Sequence, residues 1–141
     1  MNIPDVNVLV SAFRTDAVHY EVSELWLRTA IEAGEPIGLL DSVVTGFLRV
    51  VTNVRAFDPP SEMSDALERI DFLLATNEVR WLKSGPGYWD SLKRLVESAQ
   101  IRAHLVSDAH IAAIALNEGA TVVTLDRDFK RLKPVKTKFL I

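Results

Sequence analysis

The hydrophobic and polar positions of this chain follow two patterns, short apolar runs and longer stretches with helical periodicity. A short apolar run bounded by turn residues predicts a buried strand, whereas apolar residues recurring every three or four positions predict an amphipathic helix. The predicted strands are a first one ending near Asp5, then Pro36–Leu40, Val79–Leu82, Thr121–Thr124 and an edge strand at Lys138–Ile141.

The stretches between these strands have the periodicity of helices, and glycines mark the ends of two of them, as is common at helix C-termini. We predict helices from Val6 or Asn7 onward, from His19 to Ala33, from Val43 to Thr52 after Asp41-Ser42, from Ser61 to about Ala75, from Tyr88 to Ala99, and from Ser107 to Gly119. Strands that alternate with helices indicate a mostly parallel sheet between helical layers. We expect one domain spanning residues 1–141.

Apolar stripes on two helices predict which side chains face the core. The helix that follows His19 has the stripe Val22, Leu25, Trp26, Thr29 and Ala30. The helix that begins at Tyr88 has the stripe Trp89, Leu92, Leu95 and Val96. All three tryptophans of the chain, Trp26, Trp81 and Trp89, lie in apolar patterns, and we expect them in the core.

Several aspartates occur where an α/β fold gathers its ligands. Ser107 is a good helix N-cap and places Asp108 in the first turn, while Asp126 and Asp128 follow the strand Thr121–Thr124. Asp5 follows the first strand, where its simpler alternative is to cap the next helix. Because parallel strands present their carboxyl ends at one edge of the sheet, these carboxylates predict a divalent-metal site.

Composition narrows the chemistry further. The 141 residues include no cysteine, which excludes disulfides, zinc–thiolate sites and cysteine nucleophiles, so any metal must have oxygen or imidazole ligands. A net charge of −3 gives no general attraction to nucleic acid. No apolar run reaches the roughly 20 residues that cross a bilayer, and the start lacks the basic residues of a signal peptide. We therefore expect a cytoplasmic protein with no membrane partner.

Three blocks of residues, taken together, resemble one known family. Pro4-Asp5-Val6-Asn7-Val8-Leu9-Val10 is similar to the opening of PIN-domain ribonucleases. Ser107-Asp108-Ala109-His110-Ile111-Ala112-Ala113, followed by Thr124-Leu125-Asp126-Arg127-Asp128-Phe129, resembles the closing half of the family. Gly46-Phe47-Leu48-Arg49-Val50-Val51-Thr52-Asn53 resembles a subgroup of VapC-type toxins from bacterial toxin–antitoxin pairs. The similarity spans essentially the whole chain.

This resemblance implies a PIN-like three-layer α/β/α sandwich and an Mg²⁺-dependent, or Mn²⁺-dependent, endoribonuclease that cleaves phosphodiester bonds in RNA. It also implies inhibition by a cognate small antitoxin protein and a homodimeric toxin. By position, Asp5 and Asp108 match the principal metal-binding and catalytic aspartates. Asp126 matches a further acidic site residue, which orients a metal-bound water or holds a second ion, and Asp128 is a secondary metal ligand. Thr124 matches the small hydroxyl residue before that acidic turn.

One position departs from the pattern of the family. Many members have a glutamate on the helix after the second strand, and here Gly46 stands at that place. Glycine supplies neither charge nor ligand, which leaves open whether the site holds one metal ion or two. Gly46 is also the feature that favours the alternative of a non-catalytic PIN-like module that binds RNA or protein.

Basic residues near these blocks are candidates for contacts with RNA phosphates. They are Arg49, Arg55, Arg102, Lys130 and Arg131.

A third possibility, a flavodoxin-like or receiver-type domain, also gathers aspartates at strand ends. It would need a paired acidic start, a central phosphoacceptor and a late lysine, and that set is not found here.

Overall fold

The centre of the molecule is a sheet of five short strands, all of them parallel. A computed structural model describes residues 1–141. The strand order is β3-β2-β1-β4-β5, with β1 at Asn2–Pro4, β2 at Ile37–Leu40, β3 at Val79–Leu82, β4 at Thr121–Thr124 and β5 at Lys136–Phe139. The α/β fold class and all five predicted strands are therefore confirmed. The last strand begins two residues earlier than predicted and lies at the sheet edge, as expected.

Six α-helices cover the sheet, at the places that the sequence predicts. They are α1 at Val6–Phe13, α2 at Tyr20–Glu32, α3 at Asp41–Val51, α4 at Met63–Leu74, α5 at Tyr88–Ser98 and α6 at Leu105–Glu118. A short 3₁₀ helix, Arg127–Arg131, follows β4. None of these helices combines the length and the apolar character needed to cross a membrane.

The start of α6 differs from the prediction. Ser107 is not its N-cap, because the helix begins at Leu105, and His104 occupies the cap position without a side-chain hydrogen bond. Ala103 has a left-handed backbone (φ 57°) that turns the chain just before the helix, and the buried side chain of Leu105 fixes the first residue in the core. Asp108 still lies in the first turn, as predicted.

The strand order explains where a functional site can form. The chain steps from β1 to β2 to β3 in one direction and then returns past them to β4 and β5. Because crossovers between parallel strands are right-handed, this reversal places α1–α4 on one face and α5–α6 on the other. Connections leave β1 and β4 in opposite directions, which opens a crevice beyond the carboxyl ends of these two strands.

The core lies between the sheet and these two helical layers, and it is apolar on both faces of the central strands. Ile3, Val122 and Val123 are fully buried, as a parallel sheet covered on both sides requires.

The inward face of α2 differs from the prediction. Its buried residues are Ser23, Trp26, Leu27 and Ala30. Val22, Leu25 and Thr29 instead line a surface groove beside Lys138 and Leu140, because the helix is rotated toward its Leu27 side.

The prediction for the tryptophans was right for one residue and wrong for two. Trp26 is buried, whereas 42% of Trp81 and 63% of Trp89 remain exposed. Trp81 belongs to β3, which is an edge strand with little cover. In α5 the buried contact is made by Leu95, and Trp89 lies beside the ammonium group of Lys93 on the outer surface.

Candidate active site

Asp5 is held at the centre of the crevice by three hydrogen-bond donors. It follows β1 directly and serves as the N-cap of α1, so the capping role and the site role coexist in one residue. The backbone N–H of Val6 donates to Oδ1 at 2.7 Å, while Asn7 Nδ2 and Thr124 Oγ1 donate to Oδ2 at 2.8 and 2.7 Å. Only 5% of the residue is exposed, so the position of this carboxylate is closely defined.

Asn7 and Thr124 join the ends of β1 and β4 into one network. The side-chain oxygen of Asn7 accepts from the backbone N–H of Leu125 at 3.1 Å, and its amide nitrogen also donates to Thr124 Oγ1 at 3.2 Å. The N–H of Asp126 donates to the same hydroxyl at 3.0 Å. The sequence alone did not predict a role for Asn7. Because Asn7 lies two residues after Asp5, in the first turn of α1, its position in the sequence could have indicated a contact with the Asp5 carboxylate.

Three of the predicted carboxylates line one cavity. Asp5, Asp108 and Asp126 reach it from the end of β1, the first turn of α6 and the loop after β4, and its volume is about 340 Å³. Asp128 does not line it. Its backbone N–H donates to Asp126 Oδ1 at 2.8 Å, which fixes the carboxylate of Asp126 at the start of the 3₁₀ helix.

These carboxylates repel one another. Burial raises the pKa of Asp108 to about 7, with further contributions from the negative charges of Asp5, Asp126 and Asp128. Burial also raises the pKa of Asp5, although the hydrogen bonds from Thr124 and Val6 oppose that change. Negative charge is therefore concentrated in a partly desolvated cavity, which is the condition that a bound cation relieves.

The donor set suits a small, hard cation. Carboxylate oxygens are the ligands that Mg²⁺ prefers, and this ion commonly takes one or two of them together with water and substrate phosphate. No three acidic or histidine side chains are close enough together to form a closed metal cage. An open site completed by water and substrate is thus the arrangement that the residues fit, with Asp5, Asp108 and Asp126 as the carboxylates that line it.

The basic residues predicted to contact RNA are not gathered at this cavity. Arg49, on α3, lines it. Arg55, Arg102, Lys130 and Arg131 lie outside it and are exposed, Lys130 beside the ring of Phe139 and Arg131 with a guanidinium nitrogen 3.4 Å from the carbonyl oxygen of Ala99. Of the five predicted residues, Arg49 alone lines the carboxylate cavity.

Gly46 lies next to the site, on the face of α3 that meets the start of α1. The side chain of Val6 fills the space beside it. The carboxylate that many relatives of the predicted family have at this position is therefore replaced here by apolar packing between two helices. Asp5, Asp108 and Asp126 remain as the acidic side chains of the cavity.

A polar chain of three side chains, which the sequence did not predict, lies beside the carboxylates. The hydroxyl of Tyr88 is 2.6 Å from Nδ1 of His110, and Nε2 of His110 is 3.1 Å from Oγ of Ser42. Burial lowers the pKa of His110, while the charge of Asp41 opposes that change. The three residues come from α5, α6 and α3, so no local sequence pattern predicts their contact.

This chain is similar to known proteins in sequence and in fold. The model of the PIN domain family matches residues 3–134. The chain is 38% identical over 132 residues to VapC ribonuclease Mb2897 of Mycobacterium bovis, covering 94% of this chain and 90% of that protein. It is 33% identical over 136 residues to ribonuclease VapC25 of Mycobacterium tuberculosis, covering 96% of both.

Solved structures with the same fold have lower sequence identity. VapBC2 from Rickettsia felis, bound to a DNA fragment from its promoter, superposes with a TM-score of 0.73 at 17% identity, over 98% of this chain and 97% of that chain. VapC20 of Mycobacterium tuberculosis, described as a toxin that cleaves the sarcin-ricin loop, has a TM-score of 0.67 at 13% identity, over 92% and 93%. At these identities the likeness concerns the fold.

Proposed function

This chain belongs to the PIN-domain family and, on that premise, we propose that it is the toxin of a type II toxin–antitoxin pair, an endoribonuclease that requires Mg²⁺ or Mn²⁺. The observation that carries the proposal is the meeting of Asp5, Asp108 and Asp126 at one cavity beyond β1 and β4. The VapC ribonucleases that it resembles over nearly its whole length give the substrate class.

Each carboxylate has a role that follows from its surroundings. Asp5 and Asp108 hold the metal ion, directly or through water, and the raised pKa of Asp108 returns toward its ordinary value when a cation offsets the neighbouring charges. Asp126 orients the attacking water, because the N–H of Asp128 fixes its carboxylate. Asp128 contributes its charge from outside the cavity. A bound divalent ion supplies charge stabilisation at the phosphate and a more acidic water.

The other residues at the cavity position the substrate. Arg49 contacts a phosphate of the RNA from the rim, where a guanidinium group offers several donors in a planar arrangement. Thr124 and Asn7 hold Asp5 in the orientation that the metal needs, through hydrogen bonds to its Oδ2. Arg55, Arg102, Lys130 and Arg131 contribute at most to weak, distant attraction.

The alternative of a non-catalytic binding module is not favoured. Gly46 was the feature in its support, but the lost side chain is replaced by the packing of Val6, and the three acidic residues of the cavity are retained. A module that had lost its chemistry has no need to keep three mutually repelling carboxylates in a partly buried cavity.

The partners follow from the same proposal. A cognate antitoxin binds the toxin and brings a basic side chain toward the carboxylates, since the crevice is negatively charged. The toxin itself forms a homodimer, and it cleaves its RNA substrate in the cytoplasm. Co-expression with the small open reading frame beside the gene tests the pairing, and failure to recover a complex contradicts it.

Cleavage of RNA by the purified chain tests the enzyme. Total cellular RNA is incubated with Mg²⁺, with Mn²⁺ or with EDTA, using wild type, Asp5→Asn and Asp108→Asn. The matched control is Asp90→Asn, which neutralises an exposed aspartate on α5. We expect metal-dependent cutting by wild type and Asp90→Asn, and none by the two site variants. Equal activity of all four proteins contradicts the assignment of the site, and inactivity of all four contradicts the proposed chemistry.

A further inference from the structure

A second cavity adjoins the carboxylate cavity, between α3 and the first two turns of α6. Its volume is about 310 Å³, and Ser42 and His110 line it from the two helices. Val6, Arg49 and Ser107 line both cavities, so the two spaces are neighbours with a common wall. This size lies at the lower end of the roughly 300–1,000 Å³ found for small-molecule sites, enough for one nucleotide.

The two cavities differ in their chemistry. The first contains three carboxylates, whereas no acidic residue lines the second. The polar groups that the second offers to a ligand are the guanidinium of Arg49 and the hydroxyls of Ser42 and Ser107, because Tyr88 and Ser42 contact both ring nitrogens of His110. These groups suit a ligand that is rich in acceptor oxygens, such as the phosphate, sugar and base carbonyls of a nucleotide.

The contact between Tyr88 and His110 determines how Ser42 presents its hydroxyl. Because a phenol hydroxyl is a good donor and a neutral imidazole nitrogen a good acceptor, we assign Tyr88 as the donor and Nδ1 of His110 as the acceptor across their 2.6 Å contact. The hydrogen of the ring is then on Nε2, which donates to Oγ of Ser42 at 3.1 Å. The hydroxyl hydrogen of Ser42 is left free to be donated into the cavity.

The environment of His110 holds this arrangement in place. The rings of Tyr88 and His110 meet edge to face, with centroids 5.4 Å apart, and both residues are half-buried. Edge-to-face contact is a favoured arrangement for aromatic rings. The imidazole thus has a defined orientation, with one nitrogen bonded toward α5 and the other toward α3.

We propose that this second cavity binds the nucleotide adjacent to the scissile phosphate of a single-stranded RNA, with Ser42 and Arg49 as its contacts and with Tyr88 and His110 as positioning residues for Ser42. This inference rests on the proposed ribonuclease function. A nucleotide held here lies next to the carboxylates because the cavities share a wall. Proteins read single-stranded RNA through splayed nucleotides whose acceptors meet such donors.

Binding without cleavage provides the test. Fluorescein-labelled hexamers of uridylate, cytidylate and adenylate are titrated with protein in EDTA, and anisotropy gives the dissociation constants. The variants are Ser42→Ala, Tyr88→Phe and the double variant. The control is Ser91→Ala, which removes an exposed hydroxyl of α5 bonded to Asn117, away from both cavities. Loss of one hydrogen bond weakens binding by about fivefold.

We expect Ser42→Ala and Tyr88→Phe each to weaken binding of at least one hexamer by that factor and to reduce discrimination among the three. The double variant is no weaker than Ser42→Ala alone, because Tyr88 acts through Ser42. Binding that is equal in wild type and all variants overturns the inference, as does the absence of binding by wild type. Additive losses in the double variant overturn the positioning role of Tyr88.

The binding and cleavage experiments distinguish failure of the nucleotide subsite from failure of the ribonuclease proposal. If wild type binds hexamers in this pattern but cuts no RNA with metal, the ribonuclease proposal fails, and the second cavity remains a nucleotide-binding site with no scissile phosphate beside it. If wild type cuts RNA and the variants bind and cut as it does, the subsite fails alone. Sequencing the cut ends then adds a second measure, since Ser42→Ala must change the nucleotide preference at one position beside the cut.

Discussion

The side chain of Val6, at the start of α1, occupies the space that a side chain at position 46 of α3 would need. A Cβ placed on Gly46 lies only 2.8 Å from Cγ2 of Val6, which is closer than nonbonded carbon atoms approach. The position at which many relatives are expected to have an acidic ligand is thus closed by packing. Because Val6 is the residue after Asp5, this packing also determines the position of the first turn that holds the Asp5 carboxylate.

Gly46→Ala therefore has an effect that depends on Val6. Overpacking lowers the free energy of unfolding by about 1–3 kcal/mol. The better helix propensity of alanine raises it by about 1 kcal/mol and so offsets part of this loss. We expect a net loss of about 1 kcal/mol in the free energy of unfolding, measured with urea. In a Val6→Ala background the same substitution must stabilise the protein. An equal effect in both backgrounds contradicts this account of the contact.

Thr124→Val removes the hydroxyl that joins Asp5 to Asp126. The buried carboxylate of Asp5 loses a donor and the N–H of Asp126 loses an acceptor, so we expect a loss of about 1–3 kcal/mol in the free energy of unfolding. Thr124→Ser keeps the hydroxyl, removes one buried methyl group and costs about 1 kcal/mol. Ribonuclease activity must be retained by the serine variant and reduced in the valine variant.

The stability of the metal-free protein must fall as the pH rises from about 4 to 7. The folded-state pKa of Asp108 is about 7 and its ordinary value is 3.8, so between these values the folded protein binds more protons than the unfolded chain. The raised pKa of Asp5 acts in the same direction. Urea denaturation in EDTA at several pH values measures the slope. Asp108→Asn must reduce this slope, and an unchanged slope contradicts the assigned cause.

Mg²⁺ or Mn²⁺ must stabilise the wild-type protein. An ion that binds only the folded state at one hundred times its dissociation constant adds about 2.7 kcal/mol, which raises the thermal midpoint. Asp108→Asn must be more stable than wild type in EDTA at neutral pH, since it removes a repelled charge, and must gain little from the metal. Asp90→Asn serves as the control that keeps the full gain. If the metal ion stabilises Asp108→Asn as much as it stabilises wild type, Asp108 is not a ligand of the ion.

Arg49→Gln must impair cleavage of RNA more than Arg102→Gln does. Arg49 lines both cavities, whereas Arg102 lies outside them. A phosphate contact contributes affinity in low salt that weakens as the salt concentration rises. The KM for a short RNA at several salt concentrations is the measurement. If the two variants have the same KM and the same salt dependence, Arg49 makes no phosphate contact that Arg102 lacks.

Much of the fold was predictable because it depends on local patterns. The strands Val79–Leu82 and Thr121–Thr124 have the predicted bounds, since short apolar runs between turn residues have few alternatives in an α/β chain. The start of α6 was not predictable in this way. Ser107 has the residue type of a cap, but the burial of Leu105 and the left-handed turn at Ala103 start the helix earlier. Tertiary packing here outweighs local preference.

The same contrast applies to the exposed tryptophans. An apolar residue in a helical or strand pattern is expected inside, yet Trp81 belongs to an edge strand and Trp89 lies beyond the contact made by Leu95. Whether a strand lies at the centre or the edge of a sheet depends on strand order. Strand order is a property of the complete fold and has no signal in the strand itself.

The sequence by itself determined the chemistry that is available: oxygen ligands without cysteine, carboxylates after two strands and at the start of one helix, and a glycine in place of an acidic residue. The tertiary structure decided which of these groups meet. It brought Asp5, Asp108 and Asp126 to one cavity, left Asp128 outside it, and placed Arg49, alone among the five basic candidates, in the lining of that cavity. It also joined Ser42, Tyr88 and His110, which are far apart in the chain. The physical reason is that residue type and local period decide what an element can do, whereas contacts between distant elements depend on crossovers, helix rotation and packing that involve the whole chain.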